Sequence, residues 1–165
     1  MGRENGVGIS DYLGRAVGFK LTHQLSHETK KPGGWKNFAI YCSFIAEELS
    51  RFAKRLKDTP EPGGEGNMLD NTLVFYGSAS SGFHLSRNYP LLLFGGKAMG
   101  FQHGQYLNHL GRDMQGGPWD GGREPWQLEY QHEDQPLGNL FVTMLQRLGV
   151  ETDSFAGSTG TLAGI

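Results

Sequence analysis

Two short apolar runs constrain the fold of this chain more than any other feature of its sequence. Residues 71–76 are followed by Gly77-Ser78, and residues 89–94 are followed by Gly95-Gly96. Each run is too short for a stable helix and ends at glycine, which is typical of strands in a parallel sheet that is covered on both faces. Pro90 should lie at the start of the second strand, where its missing N–H costs least. We therefore predict two neighbouring strands at the centre of an α/β sheet.

A long amphipathic helix is predicted over residues 35–57, where apolar side chains recur every three or four positions. Its apolar stripe should face a core, and we interpret Cys42 within it as a core residue rather than a nucleophile. The stripe consists of Phe38, Tyr41, Ile45, Leu49, Phe52 and Leu56.

A second helix is predicted over residues 136–149. Pro136 suits its first turn, Asp134 or Gln135 can cap it, and Gly149 stops it. A chain of 165 residues has the size of one domain, so we predict a single α/β domain over residues 1–165. Its segments are an N-terminal segment 1–34, helix 35–57, strand-loop-strand 70–96, an irregular insert 97–134 with a short strand near 105–107, helix 136–149, and a tail or final edge strand 150–165.

Composition excludes several classes of function. The 26 glycines in 165 residues exceed the ordinary share of about 7%, so much of the backbone should lie in turns and loops. Seventeen acidic and fifteen basic residues leave a net charge of −2 without a long run of one sign, which argues against a nucleic-acid or anionic-membrane surface. No stretch approaches a membrane span, and the first residues are too polar for a signal peptide.

Histidines are the most reactive side chains in the sequence. His23 and His27 are four residues apart, which would place both imidazoles on one face of a helix, and this arrangement suits a divalent metal. His84 lies between the two predicted strands, in a loop where α/β sheets bind ligands. Because no acidic partner follows at a diagnostic spacing, hydrogen-bonded histidines without a metal remain an open alternative.

Two other chemistries are disfavoured. His103 and His109 follow the glycine-rich segment 95–100, but that segment matches neither the phosphate-loop nor the dinucleotide pattern. The serines of residues 78–81 lack the G-x-S-x-G elbow of serine hydrolases.

Taken in order, the segments of this chain resemble the family known as Domain of Unknown Function 1552, exported bacterial proteins akin to the alkaline phosphatase and sulfatase superfamily. The resemblance extends from about residue 7 onward, except for residues 109–132, and covers only the end of the much longer family members. It implies a partial alkaline-phosphatase-like sheet with flanking helices, without the first strands, the nucleophile and the early metal ligands. The similar blocks are the His-Gln-Leu-Ser-His of residues 23–27, helix 35–56, and residues 69–78, 88–96, 136–140, 148–155 and 158–160.

The chain departs from this family where metal ligands would lie. After the first predicted strand, family members carry a His-Asp-His run; His84 falls at its first position, but Leu85 and Ser86 replace the other two. Tyr106 and Glu28 stand where further histidines are common in the family. Metal chemistry of that superfamily needs several converging Asp and His ligands.

Two main functional hypotheses follow, beside a fragment with no independent role. One is a non-catalytic binding or structural subunit that kept the scaffold. The other is part of a metal-dependent phosphate or sulfate ester hydrolase, completed by another chain, with His23, His27 and His84 as metal or substrate contacts and zinc, manganese or calcium as the metal. Open sheet edges also predict a homo-oligomer or a protein partner. The predicted interface residues are Leu73, Phe75, Leu92, Phe94, Trp119 and Trp126.

Overall fold

The computed structural model describes residues 12–78, 89–109 and 135–165. The chain divides into two compact units, Met1–Thr59 and Pro60–Ile165. The mixed α/β class predicted from the sequence is confirmed, whereas a single domain over the whole chain stays a prediction. The first unit contains α1 (Tyr12–Ala16), α2 (Thr22–Glu28) and α3 (Gly34–Asp58); the second contains β1 (Leu73–Gly77), β2 (Leu91–Gly95), a short 3-10 helix (Lys97–Met99) and α4 (Leu137–Arg147).

The first unit is built on α3, the helix predicted over residues 35–57. Both α1 and α2 pack against it. The buried residues of α2 and α3 are Thr22 and Leu25 on α2 and Ile45 and Leu49 on α3. Since Ile45 and Leu49 are four residues apart, they lie on one face of α3, and this face carries the core of the unit.

The apolar stripe of α3 is buried only in part. Phe52 is 48% exposed, and Cys42 is also exposed, so the interpretation of Cys42 as a core residue is wrong. The physical reason is length: the 25 residues of α3 span about 37 Å, whereas α1 and α2 have five and seven residues. Two such short helices cover only a fraction of one long one.

The turn between α2 and α3 ends at two adjacent glycines, Gly33 before α3 and Gly34 at its first position. Gly33 has a φ of 73°, in the left-handed region that favours glycine. A Cβ on Gly34 would overlap the carbonyl oxygen of Glu28, because the backbone of α2 passes directly beside the start of α3. Backbone bonds from Lys31 N to Glu28 O (2.9 Å) and from Gly34 N to Lys31 O (2.9 Å) close this turn.

The two predicted strands pair with each other, but they are antiparallel and not parallel. Residues 78–90 join adjacent ends of the pair, whereas parallel pairing would require the chain to return to the opposite end. Burial on both faces is also wrong, since Phe75 is 38% exposed and Leu92 is 56% exposed. Within the described ranges the sheet has only these two strands, and each of its faces carries an exposed apolar side chain. The register pairs Leu73 with Gly95, Val74 with Phe94, Phe75 with Leu93, Tyr76 with Leu92, and Gly77 with Leu91.

A polar turn before β1 anchors the end of β2. The side chain of Asn67 accepts hydrogen bonds from Leu69 N (3.0 Å) and Asp70 N (3.2 Å), while Asp70 Oδ2 accepts one from Asn67 N (3.1 Å). Gly96 N then donates to Leu69 O, and Ala98 N to Asp70 O, both at 2.9 Å. The entry to β1 is thus fixed to the exit from β2.

An aromatic cluster joins α4 to β1 and to the C-terminal segment. The ring of Phe141 on α4 lies 5.8 Å from that of Phe75 and 5.8 Å from that of Phe155, both edge-on. Such T-shaped pairs are favourable because a ring's positive edge meets a negative face. Val142, on the same helix, is fully buried.

The C-terminal segment docks on α4 through a buried amide. Asn139 is only 4% exposed. Its Oδ1 accepts hydrogen bonds from Thr159 N (2.8 Å) and Gly160 N (3.1 Å), and its Nδ2 donates to Thr159 Oγ1 (3.2 Å). One turn further along, Thr143 Oγ1 accepts a bond from Leu162 N (2.8 Å). The C-terminal segment therefore runs along α4. Side chains of α4 bind its backbone N–H groups, whereas in a sheet the backbone of a neighbouring strand would bind them.

Several local predictions differ from the structure. Residues 105–107 and 150–165 form no strand. Pro136 is the N-cap of α4, without a side-chain capping bond, so Gln135 does not have that position, and Asp134 lies outside the described residues. Gly149 follows the helix with a φ of 81°, as a C-terminal stop requires. None of the described helices is long and apolar enough to cross a membrane.

Candidate functional site

The candidate site is a pair of histidines on α2, and burial of α2 determines where they lie. Thr22 and Leu25 are buried, which fixes that side of the helix in the core of the first unit. His23 is half-buried and His27 is exposed. Because the two positions are one helical turn apart, both rings lie over the same patch of surface.

The two rings meet at their outer nitrogens. His23 Nε2 and His27 Nε2 are 2.9 Å apart, and the ring centroids are 4.7 Å apart with an interplanar angle of 69°. In a neutral pair, one Nε2–H donates to the other Nε2, and the two rings then carry different tautomers. The sequence predicted that the rings share a face, and the structure brings their Nε2 atoms together.

The neighbouring polar groups of α2 have partners of their own. Ser26 Oγ donates to His23 O (2.7 Å), and Thr29 Oγ1 donates to Ser26 O (2.8 Å). Glu28 pairs with Lys31 at 3.3 Å. Among the described residues, no group of three or more His, Cys, Asp or Glu side chains is arranged to hold a metal ion. The local ligand set is therefore the two imidazoles.

Three of the predicted site residues lie outside the described ranges: His84, Trp119 and Trp126. His103, which the sequence placed beside a glycine-rich segment, has a structural contact, since its Nε2 lies 2.6 Å from Gly95 O at the end of β2. This histidine fastens the segment after β2 to the strand.

The predicted interface residues of the sheet divide between its two faces. The register places Leu73 and Phe75 on one face and Leu92 and Phe94 on the other. Leu92 and Phe75 are exposed, while Leu73 and Phe94 are half-buried. Apolar surface is therefore available on both sides of the strand pair.

Sequence reasoning missed an open apolar groove of about 440 Å³ in the first unit. Trp35 and Ile40, at its rim, are 58% and 51% exposed. The sequence did contain a sign of this groove. The residues of α3 that line it recur at spacings of three and four positions, which forms a second stripe along the helix. The groove is lined by Val17, Trp35, Lys36, Ala39, Ile40, Ser43, Phe44 and Glu47.

Comparisons with known proteins found no similarity: no family model, no curated protein and no solved structure matches the chain. The family resemblance described above therefore depends on the sequence blocks alone. The histidine pair and the exposed sheet are the two features from which a function can be argued.

Proposed function

We propose that this chain is a non-catalytic binding or structural subunit on an alkaline-phosphatase- or sulfatase-like scaffold, and that it assembles into an oligomer or a larger complex. The observation that carries the proposal is the exposed strand pair of β1 and β2. Leu92, which pairs with Tyr76 in this sheet, is 56% exposed.

Strand edges support assembly. Within residues 12–78, 89–109 and 135–165, β1 and β2 pair with each other and no further strand pairs with the outer edge of either. A two-stranded sheet is marginal by itself, and open edges are templates for pairing with another chain. Additional strands from a partner would complete the sheet and cover its faces.

Exposed apolar side chains support the same conclusion. Phe75 is 38% exposed although it contacts Phe141, and Leu92 lies on the opposite face. Burying such a side chain contributes about 1.5–3 kcal/mol. A partner that covers both faces would therefore gain substantial apolar burial.

Departures from the resembled family support a non-catalytic role. Where that family carries a His-Asp-His run, this chain has His84, Leu85 and Ser86, and leucine cannot bind a metal. Tyr106, at another histidine position of the family, is 85% exposed. The substitutions remove ligands while the strand and helix blocks are kept.

Assembly is tested by Leu92→Asp. We expect the wild-type protein, at micromolar concentration, to show a mass above the 18.2 kDa of one chain in light scattering, and Leu92→Asp to approach that mass. A charge on the covered face would leave a carboxylate buried without a partner, which is strongly unfavourable.

Val150→Asp is the matched control, because Val150 is 47% exposed, belongs to the same unit and lies outside the sheet. This variant should assemble as the wild type does. A stable wild-type monomer, or equal dissociation of both variants, would contradict assembly through the sheet.

A second candidate function is a metal-dependent phosphate or sulfate ester hydrolase completed by another chain. The convergence of the His23 and His27 nitrogens favours it, and the hypothesis names His84 as a further metal or substrate contact. Protein purified together with its partner should then contain stoichiometric zinc, manganese or calcium by elemental analysis. It should also hydrolyse p-nitrophenyl phosphate or sulfate, and chelator should abolish this activity. A metal-free assembly without hydrolysis after metal addition would rule it out.

A further inference from the structure

We propose that His23 and His27 form a two-imidazole chelating site for a late first-row transition metal, Cu²⁺, Ni²⁺ or Zn²⁺, which fastens α2 in its folded form. The site requires neither assembly through the sheet nor hydrolase activity, because both ligands belong to one helix of the first unit.

The separation of the two nitrogens fits joint coordination. Metal–imidazole bonds are about 2.0–2.1 Å, so ligands at right angles have nitrogens about 2.9 Å apart and tetrahedral ligands about 3.4 Å apart. His23 Nε2 and His27 Nε2 are 2.9 Å apart. The separation equals that of the first geometry, in which both rings turn so that their Nε2 lone pairs converge on the metal; the second geometry also needs a small movement of the exposed His27 side chain.

Chelation uses the atoms that now share a hydrogen bond. The metal ion displaces the proton that the two Nε2 atoms share and binds both atoms from one side of the line between them, and each neutral ring then carries its proton on Nδ1. In a neutral pair, the displaced proton leaves Nε2 of the donor ring, and Nδ1 of the same ring takes up a proton. Solvent can carry this transfer, because His27 is exposed. No oxidant or reductant is required.

The ligand chemistry selects the metal. Imidazole suits copper, nickel and zinc, whereas calcium and magnesium prefer oxygen ligands. Affinity for such a site rises from Mn²⁺ to Cu²⁺ and falls again at Zn²⁺. The nearest carboxylate in sequence, Glu28, is paired with Lys31, which keeps the local set nitrogen-rich. We therefore expect Cu²⁺ to bind most tightly, followed by Ni²⁺ and Zn²⁺.

Burial of the opposite side of α2 prepares the site before a metal arrives. Thr22 is fully buried and Leu25 is 7% exposed, so the helix is held while the histidine side faces outward. Ordering of the backbone is therefore a cost of folding and not of metal binding. A helix of seven residues is marginal by itself, so a metal that binds the folded pair should raise the stability of the first unit.

The experiment titrates the full-length chain with Cu²⁺, Ni²⁺, Zn²⁺, Mn²⁺ and Ca²⁺, using calorimetry for affinity and thermal unfolding for stability. We expect one ion per chain for the first three metals, each with a rise in Tm, and no rise with Ca²⁺. In His27→Gln the second ligand is lost, so affinity should fall on the order of 100-fold. Electron paramagnetic resonance of the Cu²⁺ form should show hyperfine splitting from two nitrogens.

Spacing is tested by the double variant Gln24→His/His27→Gln. It keeps two histidines on α2, but at successive positions that do not face each other. Its affinity should match that of His27→Gln, and its copper spectrum should lose the two-nitrogen pattern. Circular dichroism should show wild-type helix content, because Gln24 and His27 are both exposed.

Two further variants separate this site from the others. His103→Gln should bind metal as the wild type does, because this side chain is fastened to Gly95 O in the second unit. His84→Ala should also be unaffected. A comparable loss of affinity in His84→Ala would contradict a site made of His23 and His27 alone. Equal binding by the wild type and the spacing variant, or no binding of Cu²⁺, would overturn the proposal.

Discussion

Asn139→Ala is expected to destabilise the second unit by about 2–3 kcal/mol and to release residues 159–162 from α4. The substitution removes one acceptor of two backbone N–H groups, those of Thr159 and Gly160, and the donor to Thr159 Oγ1. Since Asn139 is 4% exposed, the loss also leaves a small buried void. Each hydrogen bond contributes only modestly to the free energy of unfolding, but all three depend on the Asn139 side chain.

The measurement is denaturant unfolding together with limited proteolysis of the C-terminal segment. Thr159→Val serves as the partial control, because it removes only the bond from Asn139 Nδ2 and should cost at most about 1 kcal/mol. Cleavage within residues 155–162 should increase strongly in Asn139→Ala and little in Thr159→Val. Equal stability of the two variants would mean that the backbone bonds to Asn139 do not hold the segment.

Gly95→Ala is expected to destabilise the strand pair by about 3 kcal/mol, the sum of two separate costs. Gly95 has a φ of 78°, which L residues rarely adopt. A Cβ at this position would also overlap the carbonyl oxygen of Thr72 and approach Leu69 O. Because both are backbone atoms, no side-chain rotation relieves the overlap, and β1 and β2 would have to separate at the pair of Leu73 with Gly95.

Gly104→Ala is the matched control for this prediction. Gly104 has a φ of 85°, and a Cβ there would meet nothing within 4 Å. It therefore shares the left-handed backbone but not the close approach, and should cost about 1 kcal/mol. Thermal unfolding of the two variants measures the difference. If they lose equal stability, the close approach of Gly95 to Thr72 contributes nothing.

Local features of the chain were readable from the sequence because they depend on near neighbours. The period of residues 35–57 predicted the helix that the structure places at Gly34–Asp58. The two apolar runs predicted β1 and β2 to within two residues at each end. Spacing also predicted that His23 and His27 share a face of α2. Each of these depends on backbone geometry over one or two turns.

Properties that depend on distant packing were not readable in this way. Cys42 lies within an apolar period, yet it is exposed because α1 and α2 are too short to cover α3. Nothing within five apolar residues specifies whether a strand pairs in parallel or antiparallel, so the direction of β2 was missed. Asn139 gave no signal at all, because its partners lie 20 and 21 residues away.

The sequence by itself determined the long helix of residues 35–57, the helix that follows Pro136, the two strands that end at glycines, and which two histidines stand one turn apart. Tertiary structure decided the antiparallel pairing, the exposure of Leu92 and Cys42, the docking of residues 159–162 on Asn139, and the contact between the histidine nitrogens. The reason is physical: periodicity encodes the side chains that a segment turns toward one face. What covers that face, and how closely two backbones approach, depends on segments far away along the chain.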